Sequence, residues 1–206
     1  LLFKNSSSSY NIILISADTL RADHLRCYGY SHQTSPNIDN LAKNGVLFLN
    51  TFSHSNITLP SHSSIFTSRY PSQHKAEKGT DWYTCLSETE LTLAEILQNN
   101  GYTTAAFTDG GEMSKIYNID QGFATFNDEG GYIKKINPRV IKWLNNKKNK
   151  KYFLFIHYYD CHSPYQPPPQ FRDKYLTKFK KSLYLKIDEI LKKHTCVNEV
   201  MLKKIV

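Results

Sequence analysis

Asn11-Ile12-Ile13-Leu14-Ile15-Ser16-Ala17-Asp18-Thr19 is the stretch on which the fold class turns. Ile12 to Ile15 are apolar without alternation, so both faces of the segment call for burial, as in an inner strand of a parallel sheet. The run ends at Ser16 and becomes polar at Asp18-Thr19, which places a carboxylate and a hydroxyl at the carboxyl end of the strand. In open α/β sheets that end is where ligands bind.

Working outward, the same alternation recurs. Ser35-Pro36 followed by Asn37-Ile38-Asp39-Asn40-Leu41-Ala42 gives an N-cap, a proline in the first turn and helical apolar spacing, with Gly45 as the stop. Val46 to Phe52 predicts a second strand, and Pro60 to Thr67 a helix with Pro60 in its first turn. Thr92 to Gln98 predicts a helix stopped by Gly101, Tyr102 to Phe107 a strand, Pro138 to Asn145 a helix and Tyr152 to Tyr158 a further strand. Such spacing predicts an α/β fold, a mainly parallel sheet flanked by helices. After Pro164 the character changes: Gln166-Pro167-Pro168-Pro169 is rigid and extended, and residues 170–206 read as Lys-rich helical segments.

The organisation expected is a flexible tail or linker over 1–10, a catalytic segment over 11–165, and a Pro-rich then Lys-rich segment of the same domain over 166–206. Ile205-Val206 falls inside a helical pattern with no stop signal, so the domain reads as incomplete at its C-terminal side. Leu1-Leu2-Phe3, then Lys4-Asn5 and four serines, fits the trimmed end of a signal peptide or anchor, and fits an arbitrary boundary equally.

With 206 residues, 40% of them apolar and 13% aromatic, the chain can bury a core and is not of disordered composition. Its net charge of +8 is unevenly placed. Residues 1–133 carry 8 Lys and Arg against 13 Asp and Glu, whereas residues 134–206 carry 18 against 5. The lysines stand at helical spacing without a motif that reads RNA or DNA, so a solvated face is expected and no nucleic acid partner. Cys27, Cys85, Cys161 and Cys196 show neither CxxC pairing nor regular spacing, which disfavours zinc ribbons and thioredoxin-like chemistry and leaves disulfides open.

Three polar clusters fall at strand or helix ends: Asp18-Thr19, Thr58 to His62, and Asp160-Cys161-His162. The block Ile15-Ser16-Ala17-Asp18-Thr19-Leu20-Arg21-Ala22-Asp23-His24-Leu25, then Cys27-Tyr28-Gly29-Tyr30, resembles the opening of the sulfatase family. So do Thr34-Ser35-Pro36-Asn37-Ile38-Asp39-Asn40-Leu41-Ala42 and Gly45-Val46-Leu47-Phe48. Thr58-Leu59-Pro60-Ser61-His62-Ser63-Ser64-Ile65-Phe66-Thr67-Ser68-Arg69-Tyr70-Pro71 is similar to that family's nucleophile signature. The blocks match in order and spacing from about residue 11 to 165, the N-terminal portion of the family's domain, and imply an alkaline phosphatase-like fold.

The resemblance implies that Asp18 ligates a divalent cation, with Ca²⁺, Mg²⁺ or Mn²⁺ suited to a hard oxygen site and Zn²⁺ admitted if a histidine joins. The family often has a second Asp where Thr19 stands, so that ligand is absent or reduced to a hydroxyl. Thr58 occupies the place of the Cys or Ser that true sulfatases oxidise to formylglycine. Threonine cannot give that aldehyde, because its β-carbon carries a methyl group. Thr58 would act as an ordinary alkoxide, ligating the metal as it does so. A Thr here resembles the phosphoethanolamine and phosphoglycerol transferases of the wider alkaline phosphatase superfamily.

His62 replaces the signature Arg and is expected to bond the nucleophile or the anion. His162 resembles a family histidine that contacts the ester oxygens and protonates the leaving group. His157 reads as structural, Asp109-Gly110-Gly111 as a Gly-rich turn without catalytic duty, and Lys115 as a weak basic candidate. Read without the resemblance, Asp18 and Thr58 are each plain helix N-caps.

The expected function is metal-dependent hydrolysis of sulfate or phosphate esters through a covalent intermediate on Thr58, the partner being a sulfated or phosphorylated glycan, lipid or small molecule. One alternative is a phosphotransferase acting on lipid or glycan head groups. The other is a non-catalytic member that binds polyanions through residues 134–206. No Asp-His-Gly or Asp-Asn-Gly occurs to supply the family's later metal ligands, so residues 1–206 alone are expected to bind metal weakly and to turn over little. A periplasmic, extracellular or membrane-anchored location is expected from the family, with any membrane association through sequence ahead of Leu1.

Overall fold

The computed structural model describes residues 10–79, 82–147 and 151–175. The tail ahead of Tyr10, and the Lys-rich segment beyond Tyr175 with Cys196, lie outside the described residues. The chain divides into two units, Leu1–Tyr159 and Asp160–Val206.

In the first unit the order is β1 (Ile12–Ala17), α1 (Pro36–Asn44), α2 (Thr58–Thr67), α3 (Pro71–His74), β2 (Glu77–Lys78), β3 (Tyr83–Thr84), α4 (Leu93–Asn99), β4 (Thr103–Phe107), β5 (Thr125–Asn127), α5 (Tyr132–Asn145) and β6 (Tyr152–Tyr158). The second unit contributes α6 (Pro169–Tyr175). Among the described residues the main sheet runs β1-β6-β4-β5 and is parallel throughout; β2 and β3 form a small antiparallel pair.

Alternation along β6 makes the layers. Phe153 and Phe155 are buried on one face against Leu59 and Phe66 of α2 and Ala94 of α4. Leu154 and Ile156 are buried on the other with Ala105 and Phe107 of β4, under Ile136 and Val140 of α5. Each such side chain removed from water contributes about 1.5–3 kcal/mol. Thr92 caps α4 through a reciprocal bond pair with Glu95, as an N-terminal Thr with Glu three residues on should.

Four expectations change. Ile13 and Ile15 are 49% and 60% exposed, because the layer under α5 covers β6 and β4 and does not include β1. Val46 to Phe52 forms no strand: Val46, Phe48, Leu49 and Phe52 are all exposed and pair with no neighbour in either sheet. α2 begins at Thr58, two residues before its proline. α5 begins at Tyr132 and carries Pro138 inside it; Asp109 Oδ1, just past the end of β4, accepts the Tyr132 amide and so caps the helix. The segments 92–98, 102–107 and 152–158 form as expected, within a residue at each end.

Candidate functional site

β1 runs one step past its last strand residue: the Asp18 amide donates to the Tyr158 carbonyl at 2.9 Å, which fixes Asp18 at the carboxyl edge beside β6. Its Oδ2 accepts the Thr58 hydroxyl at 2.9 Å and lies 3.2 Å from His157 Nε2. Burial alone would raise the Asp18 carboxyl, but the His157 and Thr58 bonds and the facing histidines outweigh it and hold it below the usual carboxylate value. Asp18 is therefore an anion. Thr19 follows at φ 57 and is exposed. A β-branched residue in the left-handed region costs on the order of 1–3 kcal/mol, strain of the kind that gathers at functional turns.

Thr58 is the first residue of α2, with Ile57 at the N-cap making no side-chain cap. Its hydroxyl is committed to Asp18, 40 residues away in sequence, and not to an amide of its own helix. Neither Asp18 nor Thr58 is a plain cap. The Tyr159 phenol bonds the Thr58 side chain and the Glu112 backbone; burial, then the Asp18 charge, push it up to about 12, so it stays protonated.

His62 lies one turn further along α2 and is 5% exposed. Its Nδ1 is 2.8 Å from the Thr58 carbonyl and its Nε2 is 2.9 Å from Ser16 Oγ. A carbonyl can only accept, so Nδ1 donates and Nε2 accepts from the serine. Burial first, then the neighbouring His157, bring His62 down to about 4, and it is neutral near pH 7. It thus reaches the nucleophile through the backbone, where the signature Arg would bring a permanent charge.

His157 is fully buried on β6, paired in register with Ser16, and its ring stands 5.0 Å from that of His62. With its Nε2 toward the carboxylate, its buried Nδ1 has no hydrogen-bond partner among the described residues. His157, read from the sequence as structural, is buried within β6 as that reading expects, and it also lies against Asp18.

The turn after β4 also serves the site. Asp109 Oδ2 accepts the Tyr159 amide at 2.9 Å. Gly110 and Gly111 stand at φ 75 and 58, and a Cβ on Gly111 would come 3.3 Å from the Tyr159 hydroxyl. The Gly111–Met113 turn then swings Glu112 Oε2 to 3.0 Å from the Leu59 amide, while Oε1 takes Lys78 Nζ at 2.8 Å. Lys115 is exposed, and its amide and charge serve Asp128. His162 belongs to the second unit, where it is exposed and its Nδ1 lies 2.6 Å from the Ser163 carbonyl.

The structure thus brings Asp18, Thr58 and His62 together and adds Ser16, Glu112, His157 and Tyr159. Period-two alternation from Phe155 through His157 to Tyr159 is the sequence signal that leads to the last two. Glu112 carries no such signal.

The donor set at Asp18 and Thr58 is two hard oxygens, which fits a hard divalent cation as part of a coordination shell. Among the described residues no group of three or more His, Cys, Asp or Glu side chains is placed to hold a metal. Among the described residues Cys27 and Cys85 form no disulfide. Among the described residues no helix is long and apolar enough to cross a membrane.

Comparison with known proteins bears on the family and the fold. The chain is 35% identical over 107 residues to arylsulfatase H of Canis lupus familiaris and 35% over 100 residues to iduronate 2-sulfatase of Mus musculus, each match covering 48% of this chain. It spans only 19% and 18% of those relatives' lengths. Among solved structures, an enzyme in complex with its substrate D-glucosamine-2-N,6-O-disulfate superposes with a TM-score of 0.69 at 22% identity, over 81% of this chain and 38% of that one. The phosphonate monoester hydrolase of Agrobacterium radiobacter gives 0.63 at 19%, over 79% and 43%. The C-terminal periplasmic domain of EptC from Escherichia coli, in complex with Zn, gives 0.61 at 16%, over 82% and 49%. These likenesses establish the alkaline phosphatase-like fold. The sequence model of the sulfatase family matches residues 10–196, and the chain belongs to that family.

Proposed function

We propose that this chain carries the nucleophile of a metal-dependent hydrolase of sulfate or phosphate esters, working through a covalent ester of Thr58. The observation that carries the reading is the 2.9 Å bond from the Thr58 hydroxyl to Asp18 Oδ2. A secondary alcohol is a poor nucleophile near neutral pH. A divalent cation bound by Asp18 and Thr58, with further ligands from outside the described residues, would lower the alcohol's pKa.

The remaining work falls to the protein. Asp18, kept ionised, orients the hydroxyl and is too weak a base to be the final proton acceptor. His62 pins the Thr58 carbonyl to β1 through Ser16, so the nucleophile cannot swing away. Tyr159 offers a phenolic O–H beside the attacking oxygen. In-line attack would make a Thr58 Oγ1–P or Oγ1–S bond as the bond to the leaving oxygen breaks; the hydroxyl proton passes by way of Asp18 to water, and the leaving oxygen takes a proton from water. Water then releases the acid and restores Thr58. A location outside the cytoplasm, as for the periplasmic EptC domain, accompanies this reading.

Phosphotransfer to an acceptor alcohol is a second reading. Two observations favour it: Thr58 cannot form an aldehyde, and the fold is shared with EptC. Both are tested on the full-length parent, incubated with sulfate and phosphate esters, divalent ions and acceptor alcohols, followed by mass spectrometry of Thr58. A phosphorylated or sulfated Thr58, lost in Thr58→Ala, is the expected result. Thr58 bare across the whole panel overturns both readings. Salt-sensitive polyanion binding untouched by Thr58→Ala would then point to a binding protein.

A further inference from the structure

The amino end of α2 ought to be a place where a transferring anion finds bare amides. Here most of those donors are already engaged. The Ile57 amide goes to Ser55 Oγ at 3.0 Å, Pro60 has no N–H, and the Ser61 amide closes on the Ile57 carbonyl at 3.1 Å. The Leu59 amide, next in sequence to the nucleophile, donates to Glu112. An anionic side chain therefore already occupies a position where an ester oxygen would otherwise be received.

Glu112 is not loosely placed. Its second oxygen is held by Lys78, its backbone is bonded by the Tyr159 phenol, and its side chain is 17% exposed. The Lys78 ammonium is committed to this carboxylate, and its hydrogen bond to Glu112 stabilises the charged form. Around Thr58 the described charged and titratable groups are the Asp18 and Glu112 carboxylates, the Lys78 ammonium paired with Glu112, a neutral His62, and His157, whose Nε2 is turned to Asp18. A carboxylate fixed this close to Thr58 repels a substrate that brings two negative charges more than one that brings a single charge.

We propose that Glu112 is a specificity-determining residue: a fixed carboxylate beside the nucleophile that admits monoanionic esters, sulfate monoesters and phosphodiesters, and turns away dianionic phosphate monoesters. This rests on the reading of Thr58 as nucleophile and names the charge class of its substrate.

The test uses the full-length parent with its divalent ion at pH 8, comparing kcat/KM for 4-nitrophenyl sulfate, bis(4-nitrophenyl) phosphate and 4-nitrophenyl phosphate. Glu112→Gln keeps an acceptor for the Leu59 amide and removes the charge. It should raise the monoester-to-diester ratio at least about tenfold, which one unit charge still gives at a separation of roughly 12 Å with an effective dielectric near 20. Lys78→Met leaves the carboxylate unbalanced and should lower the same ratio, a shift opposite in sign that loss of folding does not mimic. Ratios within about threefold of the parent in both variants, or a parent that prefers the dianion, overturn the proposal. If the Thr58 adduct still forms in those cases, the catalytic reading survives its loss. No adduct with any ester removes both.

Discussion

Asp18 and Asp109 stand at the carboxyl ends of parallel strands in the same sheet, and they do different things. Both oxygens of Asp109 are used by backbone: the amides of Tyr132 and Tyr159. Asp18 instead gives one oxygen to side chains, a hydroxyl and an imidazole. An aspartate satisfied by amides is a brace, because amides cannot leave without unmaking α5 or the end of β6. An aspartate satisfied by side chains can exchange partners and keep an oxygen for a cation. A carboxylate after a strand is therefore ambiguous until its partners are known.

The largest way to test that contrast is Asp18→Asn in the full-length parent. Losing a charged ligand costs on the order of 4 kcal/mol, so affinity for the divalent ion, followed by calorimetry, should fall about a thousandfold. Unchanged affinity would make Asp18 a brace as well.

The next effect is on pH. His62 titrates near 4 when folded and near 6.5 when unfolded. Between those values the unfolded chain binds the extra proton, so stability is full above 6.5 and falls as pH drops toward 4, by about 3 kcal/mol. Asp18, whose folded value is depressed, adds a loss only as pH falls below 3.8. Urea midpoints at pH 7 and 4.5 should differ accordingly, and His62→Gln should flatten the curve. A profile as steep in the variant as in the parent would assign the transition to another group.

The smallest effect is predicted for the brace. Asp109→Asn keeps one acceptor and loses the charge, costing about 2 kcal/mol in urea unfolding while cation affinity stays within threefold. A large loss of affinity at constant stability would put Asp109 in the site.

The same contrast explains what was legible in the sequence. Local signals worked where the partner was local: Thr92 with Glu95 for α4, and the apolar run 152–158 for β6. They failed where the partner was distant. The start of α5 is set by Asp109, 23 residues back, and the apolar pattern of 46–52 finds no neighbouring strand among the described residues. At the site, Asp18 and Thr58 were readable through family blocks, and the geometry joins them. Glu112 was not, because two glycines at positive φ turn it in from a segment that reads as a bare loop.

The two links between β1 and α2 form a pair of rungs. Ser16 and Asp18 are two residues apart on an extended chain, about 6.6 Å; His62 and Thr58 are four apart on a helix, about 6.0 Å. Strand and helix therefore keep nearly the same measure over this span, and Ser16–His62 and Asp18–Thr58 close together. Evolution can alter either rung by substitution, but one residue inserted between Ser16 and Asp18, or between Thr58 and His62, would throw both out of step. A change of length in either segment should therefore cost both links, whereas a change of side chain costs one.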